Sequence, residues 1–321
     1  MFAKLFSLCL AIMYAITPYV APSTETPIDV LNEETVKLTF AALADPQVSN
    51  YMFKRERVMR GAGDDLANSS VDIDALLIAG DIAENGLQCE FDTVASHLED
   101  APVKNYIMAA GNHDVRLRLY KQSTKRFCEF ANGLNEKAGS ELVIDSLRYS
   151  YEVNGYTFIV MGTDKTEMEE SYISPEQLEW LDKTLAEVSG SKPVFVVFHQ
   201  ILKNTHGLPL TWGSGNNDKA GTIGKQSDEI QAILNKYSNV ILITGHMHTG
   251  FGQYTYQKVD NFHSINLPSL CIDNKDGDYN GPGIGYMVEV YDEKVVFRAR
   301  DFDDGCYVPD YDITINLSAD K

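Results

Sequence analysis

The chain has few cysteines, few tryptophans and a shortage of positive charge. It contains 5 Cys and 2 Trp in 321 residues, and no two cysteines have the C-x-x-C spacing, which argues against a zinc–thiolate site. Lys and Arg number 27 against 46 Asp and Glu, giving a net charge of −19 at pH 7. A nucleic-acid scaffold needs a basic face to neutralise phosphates, so we do not expect that role.

Several familiar enzyme motifs are also missing. The sequence contains no P-loop, and its Gly-x-Ser patterns lack the flanking glycine of a nucleophile elbow. Neither phosphate binding of the P-loop kind nor serine-hydrolase chemistry is therefore supported.

The first apolar run is short. Lys4 is the only charged residue before Glu25, and residues 5–20 are apolar with few interruptions. A basic start, an apolar stretch and a polar continuation are typical of a secretory signal, whereas a spanning helix needs about 20 apolar residues. We expect residues 1–23 to be a signal peptide, or alternatively an uncleaved membrane anchor, and residues 24–35 to be a short linker. Both alternatives predict export to a secreted or cell-envelope location, with a possible membrane tether.

Export would bring the remaining cysteines into a potentially oxidising compartment. Outside the N-terminal segment these are Cys89, Cys128, Cys271 and Cys306. Four cysteines allow three pairings, and the sequence does not choose among them or between disulfides and free thiols.

Past residue 35 the chain alternates β-type runs with helical patterns, which predicts an α/β fold. Asn154-Gly155 predicts a hairpin turn, and Ser174-Pro175 predicts the start of a helix. No internal repeat interrupts the pattern, so residues 36–321 are predicted to form one domain.

Five of the predicted β-type runs end at residues that can bind a metal ion. These residues are Asp45, Asp81, Asn112, His199, His246 and His248. In open α/β sheets ligands bind beyond the carboxyl ends of the strands, so we expect these side chains to meet at one edge. Each alone is more often a turn former or a helix cap, but their joint occurrence predicts a site.

The residue types suit two divalent ions. Carboxylate and amide oxygens together with imidazole nitrogens accept Mn, Fe or Zn, and no thiolate is available. His246 and His248 are two residues apart, so on an extended backbone they face one side, about 6 to 7 Å apart. Their rings can reach two ions about 3.5 to 4 Å apart, which Asp81 could bridge.

The motifs resemble a known family. Asp45, Gly80-Asp81, Gly111-Asn112-His113-Asp114, His199 and Gly245-His246-Met247-His248 occur in the order found in the calcineurin-like metallophosphoesterase superfamily. The resemblance implies a four-layer α/β/β/α sandwich with a binuclear metal site.

The resemblance also implies a role for each of these residues. Asp45 and His248 would hold the first ion, and Asp81 would bridge. Asn112, His199 and His246 would hold the second ion. His113 would be the catalytic imidazole, with Asp114 as its orienting partner.

One position departs from the family pattern. The first motif is usually Asp-x-His, whereas here it is Asp45-Pro46-Gln47. Gln47 could offer its amide oxygen as a weaker ligand, or it could only position a metal-bound water. The purple acid phosphatase branch would have a Tyr where this chain has Glu84, which argues against that branch.

These observations predict an exported, metal-dependent phosphoesterase. It would hydrolyse a small-molecule phosphomonoester or phosphodiester through a hydroxide that bridges two divalent ions, and the sequence does not separate the two ester types. The long loop over residues 201–226 is predicted either to line the substrate side or to be an ordinary surface loop. The alternative function is a non-catalytic envelope binding module that retains the fold, with Gln47 as the first sign of decay.

Overall fold

The computed structural model describes residues 25–117, 119–188, 190, 192–207 and 222–317. The predicted signal peptide or anchor and the centre of the predicted substrate loop lie outside these ranges. Within them, no helix combines the length and the apolar character needed to cross a membrane.

The first of two sheets has seven strands. They are β1 (Leu38–Leu43), β2 (Ala75–Ala79), β3 (Tyr106–Ala109), β10 (Ile284–Val290), β11 (Lys294–Asp301), β12 (Cys306–Tyr307) and β13 (Ile313–Asn316). The order is β12-β11-β10-β1-β2-β3, with β13 also paired to β11. Strands β1, β2 and β3 are parallel, and β10 pairs antiparallel to β1.

The second sheet has six strands. They are β4 (Tyr149–Val153), β5 (Tyr156–Val160), β6 (Val194–Val197), β7 (Val240–Thr244), β8 (Tyr256–Val259) and β9 (Phe262–Asn266), in the order β4-β5-β6-β7-β9-β8. The turn between β4 and β5 is the predicted one. Asn154 and Gly155 both have positive φ, at 52° and 78°, as a two-residue hairpin turn requires.

The helices fall into two groups along the chain. Those before the second sheet are α1 (Phe53–Ala67), α2 (Gln88–Leu98), α3 (Asn112–Val115) and α4 (Tyr120–Ala138), and those within it are α5 (Pro175–Val188) and α6 (Ser227–Leu234). Helix α5 begins where the sequence predicts, because the Ser174 hydroxyl accepts a hydrogen bond from the Gln177 amide at 3.2 Å.

Aromatic side chains join the two sheets. The ring of Phe40 on β1 packs edge-on against Phe158 and Phe195 of the second sheet, at centroid distances of 5.3 and 5.1 Å. Burying one such side chain contributes about 1.5–3 kcal/mol.

Helices cover the outer face of each sheet. Helices α1, α2 and α4 bury their apolar side chains in the same core as the first sheet. Leu181 of α5 and Ile230 of α6 pack with Val196 and Leu242 against the second sheet. The predicted four-layer α/β/β/α sandwich is confirmed.

The segment predicted to be a linker packs against the domain. Ile28 is completely buried, and Arg298 on β11 donates to the carbonyl oxygen of Asp29 at 2.8 Å. Residues 25–31 therefore form a strap across the first sheet. Nothing in the sequence signals this packing, which depends on one buried side chain, that of Ile28, and on partners far along the chain.

The four cysteines outside the N-terminal segment are free thiols in this structure. They are Cys89, Cys128, Cys271 and Cys306.

Candidate metal centre

The predicted ligands meet beyond the ends of strands from both sheets. Five of the ten described non-glycine residues with positive φ lie here, and these five are Asp45, Gln47, Asp81, His246 and His248. Such backbone costs of order 1–3 kcal/mol per residue and persists where the surrounding structure enforces it. The chain thus turns sharply at each strand end and directs the side chains inward.

A close approach at Gly111 explains the glycine before Asn112. A Cβ atom on residue 111 would lie 2.0 Å from Oδ1 of Asp81. Glycine therefore lets the Asp81 carboxylate approach this turn, where the same Oδ1 accepts a hydrogen bond from the His113 amide at 2.9 Å.

Asp81, His199 and His246 form a compact donor cluster. Oδ2 of Asp81 lies 3.1 Å from Nε2 of His199, which lies 3.1 Å from Nδ1 of His246. One ligand atom from each residue falls within 4.8 Å of the others, and all three side chains are buried. The opposite ring nitrogen of His199 contacts the carbonyl oxygen of Ala79 at 2.8 Å, which fixes the orientation of its ring.

Asn112 adds an oxygen that fits a cation. Its Nδ2 donates to the carbonyl oxygen of Met168 at 2.9 Å, whereas its Oδ1 is buried and accepts no hydrogen bond from any described residue. A buried acceptor left unpaired costs about 1–3 kcal/mol, and a metal ion would take up its lone pairs. This oxygen, with the carboxylates and imidazoles beside it, fits ions such as Mn, Fe or Zn.

Asp45, His248 and Gln47 lie on the other side of Asp81 and His199. Oδ1 of Asp45 is 3.2 Å from Nε2 of His248 and 3.9 Å from Nε2 of His199. Gln47 directs the donor end of its amide to the site, because Nε2 donates to Oδ2 of Asp81 at 3.1 Å. In this orientation Gln47 supports a carboxylate and does not offer its oxygen at the Asp81 side.

The buried charges polarise one another. Burial favours the neutral form of Asp81, but the imidazoles of His199 and His113 hold its pKa below the ordinary range. Burial also opposes a charge on His199, yet the Asp81 carboxylate outweighs it and raises the pKa to about 9. Burial and the neighbouring His199 ring lower the pKa of His246 far below its usual value. The proton on His199 thus lies beside the Asp81 carboxylate, where a metal cation would also be favoured.

His113 lies at the edge of the cluster, and its partner differs from the implied one. Its Nε2 is 3.9 Å from Oδ2 of Asp81, and its Nδ1 is 2.8 Å from the carbonyl oxygen of Glu84. Glu84 therefore orients the ring in this structure, in the place that the resemblance gives to Asp114.

Asp114 instead holds two strand-end loops together. Its carboxylate accepts hydrogen bonds from the backbone amides of Ala83, Ile82 and Gly111, at 2.9, 3.3 and 2.8 Å. Burial and the Asp81 charge raise the pKa of Asp114 to about 7, against the effect of these amides. Asp114 thus fixes the backbone that follows Asp81 and the amide of Gly111, and it makes no hydrogen bond to the His113 ring.

A pocket of about 500 Å³ opens directly onto the centre. Gln47, His113 and His248 lie at its base. Its charged wall residues are Arg55, Arg116, Lys275, Glu84, Glu169, Asp273 and Asp276. Three cations thus stand against four carboxylates, a formal difference of −1.

These features match one family in comparisons with known proteins. The family model described as calcineurin-like phosphoesterase matches residues 38–250, well over half of the chain. The chain belongs to the calcineurin-like phosphoesterase family.

Curated relatives found by sequence comparison have phosphodiesterase names. The chain is 24% identical over 201 residues to a 3',5'-cyclic-nucleotide phosphodiesterase from Nostoc sp., covering 62% of this chain and 64% of that one. It is also 24% identical to a probable cyclic nucleotide phosphodiesterase from Synechococcus sp., covering 56% of this chain and 60% of that one. The matched region therefore spans less than two thirds of these relatives.

Among solved structures, a dimetal phosphatase from Danio rerio superposes with a TM-score of 0.63 at 16% identity, covering 88% of this chain and all of that one. A purple acid phosphatase from yellow lupin gives a TM-score of 0.54 at 15% identity, covering 87% of this chain and 53% of that one. At these identities the likeness shows the fold alone.

The pocket next to the candidate centre also contains residues that lie outside the calcineurin-like motifs. Arg55, Arg116 and Glu169 line the pocket, and only Arg116 had a signal in the sequence, since it follows Asn112 and His113 by one helical turn. Glu169 has no motif around it.

The predicted substrate loop contributes little to this pocket among its described residues. His206 is buried, and its Nε2 lies 2.9 Å from the hydroxyl of Ser264 on β9. Burial lowers the pKa of His206 to about 4. This histidine therefore supports the second sheet, while residues 208–221 of the loop lie outside the described ranges.

Proposed function

We propose that this chain is a metal-dependent phosphoester hydrolase that acts on a small-molecule phosphodiester. The observation that carries the proposal is the buried convergence of Asp81, His199 and His246, together with an Asn112 oxygen that has no hydrogen-bond partner among the described residues. Family membership supports the reaction class, and the names of the curated relatives support a diester of the cyclic-nucleotide kind.

Two divalent ions would be held by residues from both sheets. Asp81, Asn112, His199 and His246 would hold one ion, and Asp45 and His248 would contribute to the other. When bound, such ions polarise phosphoryl oxygens and lower the pKa of a water so that hydroxide is available near neutral pH.

The protein's own groups supply position and a proton. His113 faces the pocket with Nε2, and its Nδ1 is held by the carbonyl oxygen of Glu84. The ring is therefore oriented to give a proton to the departing ester oxygen at Nε2. Asp114 keeps the backbone around Asp81 and His113 in place.

The charged side chains of the pocket walls are close to balance. Three cations face four carboxylates, and one of these carboxylates, Asp273, is paired with Lys54 at 2.6 Å. The attraction for an anionic substrate must then come from the bound ions.

Export is part of the same proposal and rests on the sequence pattern of residues 1–23. The mature domain would act in a secreted or cell-envelope location, released or tethered. Recovery of the protein in the cytosolic fraction of the producing cells would contradict export. N-terminal sequencing then decides between release and tethering, because a mature chain that retains Met1 would exclude cleavage.

The activity is tested on the purified domain with metal analysis and three substrates, two diesters and one monoester. We expect about two ions per chain, and faster hydrolysis of bis(4-nitrophenyl) phosphate and of a 3',5'-cyclic nucleotide than of 4-nitrophenyl phosphate. Assays with added Mn, Fe, Zn and Mg identify the active ion.

The nearly isosteric Asp81→Asn variant is the control for adventitious phosphatase. Hydrolysis of the monoester alone would contradict the diester assignment. Bound metal without hydrolysis of any substrate would overturn the enzyme proposal and favour a binding module.

A further inference from the structure

Glu169 contacts two residues of the candidate site from outside it. It lies in the connection between β5 and α5, and its side chain is 36% exposed. One carboxylate oxygen, Oε2, is 3.3 Å from Nδ2 of Asn112, and the other, Oε1, is 2.8 Å from Nη1 of Arg116. A single acidic side chain thus reaches a metal-ligating residue and a pocket cation together.

The first contact decides which end of Asn112 faces the centre. An Asn side chain can rotate to exchange its oxygen and nitrogen, and only the oxygen can bind a metal ion. Nδ2 of Asn112 is placed between two acceptors, the Met168 carbonyl oxygen and Glu169. A rotated amide would direct its oxygen at both acceptors, so this pair holds Oδ1 in the position to bind.

The second contact reaches the proposed proton donor. Arg116, anchored by Glu169, brings Nη2 to 3.1 Å from Nδ1 of His113. The carbonyl oxygen of Glu84 contacts the same nitrogen. Nδ1 has one in-plane position, so it donates to the Glu84 carbonyl in one tautomer and accepts from Arg116 in the other. In either tautomer a fixed neighbour holds the ring.

The segment that carries Glu169 is itself fastened to the end of β6. Nε2 of Gln200 donates to the carbonyl oxygen of Glu169 at 3.1 Å, and Oε1 of Gln200 accepts from the Ser171 hydroxyl at 2.7 Å. Gln200 directly follows the predicted ligand His199. The position of Glu169 is therefore tied to the same strand end as the metal centre.

We propose that Glu169 is a positioning residue that orients the Asn112 oxygen toward the metal ion and holds Arg116 against His113. This proposal rests on the proposed metal-dependent function. Partners of this kind, which hold a ligand without touching the ion, change metal affinity or activity by about 10- to 100-fold when they are removed.

The test compares Glu169→Ala with Glu167→Ala. Glu167 is on the same segment, is similarly exposed and pairs with Lys165 at 2.8 Å, so its loss makes the same charge change away from the centre. We expect Glu169→Ala to bind Mn²⁺ about tenfold more weakly by calorimetric titration of the metal-stripped protein. At saturating Mn²⁺, kcat should still fall and KM should stay close to that of the unaltered protein.

Two further variants separate the two contacts. Arg116→Gln should lower kcat and leave Mn²⁺ affinity unchanged, since Arg116 bonds to Asn112 through its backbone amide, which donates to the Asn112 carbonyl oxygen at 2.8 Å and which the substitution keeps. Glu169→Gln should recover part of the Mn²⁺ affinity, because its amide oxygen can still accept from Asn112. In the double variant Glu169→Ala with Arg116→Gln, the losses in kcat should be less than multiplicative, because both act through one contact.

Equal Mn²⁺ affinities in Glu169→Ala and Glu167→Ala would overturn the positioning role. Equal losses of kcat in the two variants would also overturn it. An unaltered protein that binds Mn²⁺ but hydrolyses nothing would refute the proposed activity, while the affinity comparison would still decide the role of Glu169. An unaltered protein that binds no Mn²⁺ would overturn both.

Discussion

The two sides of the candidate metal centre differ in how completely the protein prepares them. On one side, Asp81, His199 and His246 bring donor atoms within 4.8 Å, and the oxygen of Asn112 is held free for a cation. On the other side, Asp45 and His248 approach to 3.2 Å, but the third candidate, Gln47, presents its nitrogen to Asp81. On the Asp81 side, Asn112 is itself held by the Met168 carbonyl oxygen and Glu169. The Asp45 side depends on Asp45 and His248 alone.

This difference predicts unequal affinities for the two ions. A site whose ligands are already oriented loses less conformational freedom on binding. The Asp81 side also offers two imidazoles, His199 and His246, where the other side offers only that of His248. We expect the Asp81 side to fill first and the Asp45 side to fill at higher metal concentration.

The largest effect is expected from Asp81→Asn, which removes the charge shared by both sides. Loss of the ions forfeits several kcal/mol of transition-state stabilisation, which corresponds to about a 10³-fold lower kcat/KM. Metal content measured by elemental analysis should fall together with turnover. Full metal content in this variant would show that the two sides bind independently of Asp81.

His113→Ala should separate holding metal from using it. Removing a general acid typically costs 10²- to 10⁴-fold in rate, and we expect a decrease of about 10²-fold or more in kcat. Both sides of the centre keep their ligands, so the metal stoichiometry should be unchanged. Loss of an ion in this variant would show that His113 is itself a metal ligand.

The two sides should also respond differently to pH. Below pH 9 the His199 imidazole of the metal-free protein carries a proton, which an ion must displace before it can bind. Affinity on the Asp81 side should therefore rise about tenfold per pH unit from pH 6 to 8. Titrations in buffers of different ionisation enthalpy should show about one proton released.

The Asp81–His199 pair should make the stability of the metal-free protein change with pH in the opposite direction to the metal affinity. A raised folded-state pKa contributes stability below the unfolded value of about 6.5, and this is lost as pH rises toward 9. Stability of the metal-free protein should thus decrease over the range in which metal affinity increases. Thermal unfolding with and without Mn²⁺ at pH 6, 7 and 8 compares the two slopes, and parallel slopes would contradict the role of His199.

Gln47→His should have the smallest effect and should reduce the contrast between the sides. The imidazole at residue 47 would be a third ligand beside Asp45 and His248. It should raise affinity for the second ion by about tenfold, the size of change that one group makes around a metal site. The second inflection of a Mn²⁺ titration should then shift toward the first. An unchanged second inflection would show that residue 47 faces Asp81 whatever its side chain.

Much of this arrangement could be predicted from local sequence. Asp45, Asp81 and His199 stand where β-type runs stop, so their meeting at a sheet edge follows from the fold class. The hairpin at Asn154-Gly155 and the start of α5 follow from turn and cap chemistry.

What could not be predicted depends on the path of irregular segments and on the direction of an amide. Glu169 reaches Asn112 from 57 residues away, through a connection without periodicity. Gln47 has a donor end and an acceptor end, and only the surrounding carboxylate decides which one faces inward. The strap over residues 25–31 depends on Arg298, near the far end of the chain.

The position of β10 affects how the protein is made. All the candidate ligands have been synthesised by residue 248, yet β1, which leads into Asp45 and Gln47, pairs on one edge with residues 286–290. Until the ribosome has added that strand, β1 has an open edge, the kind of edge that invites pairing with other chains. A product truncated at residue 250 would keep every candidate ligand and lose the strand that pairs with β1. The candidate metal centre is therefore expected to be completed late in synthesis, after a strand that contributes none of its candidate ligands.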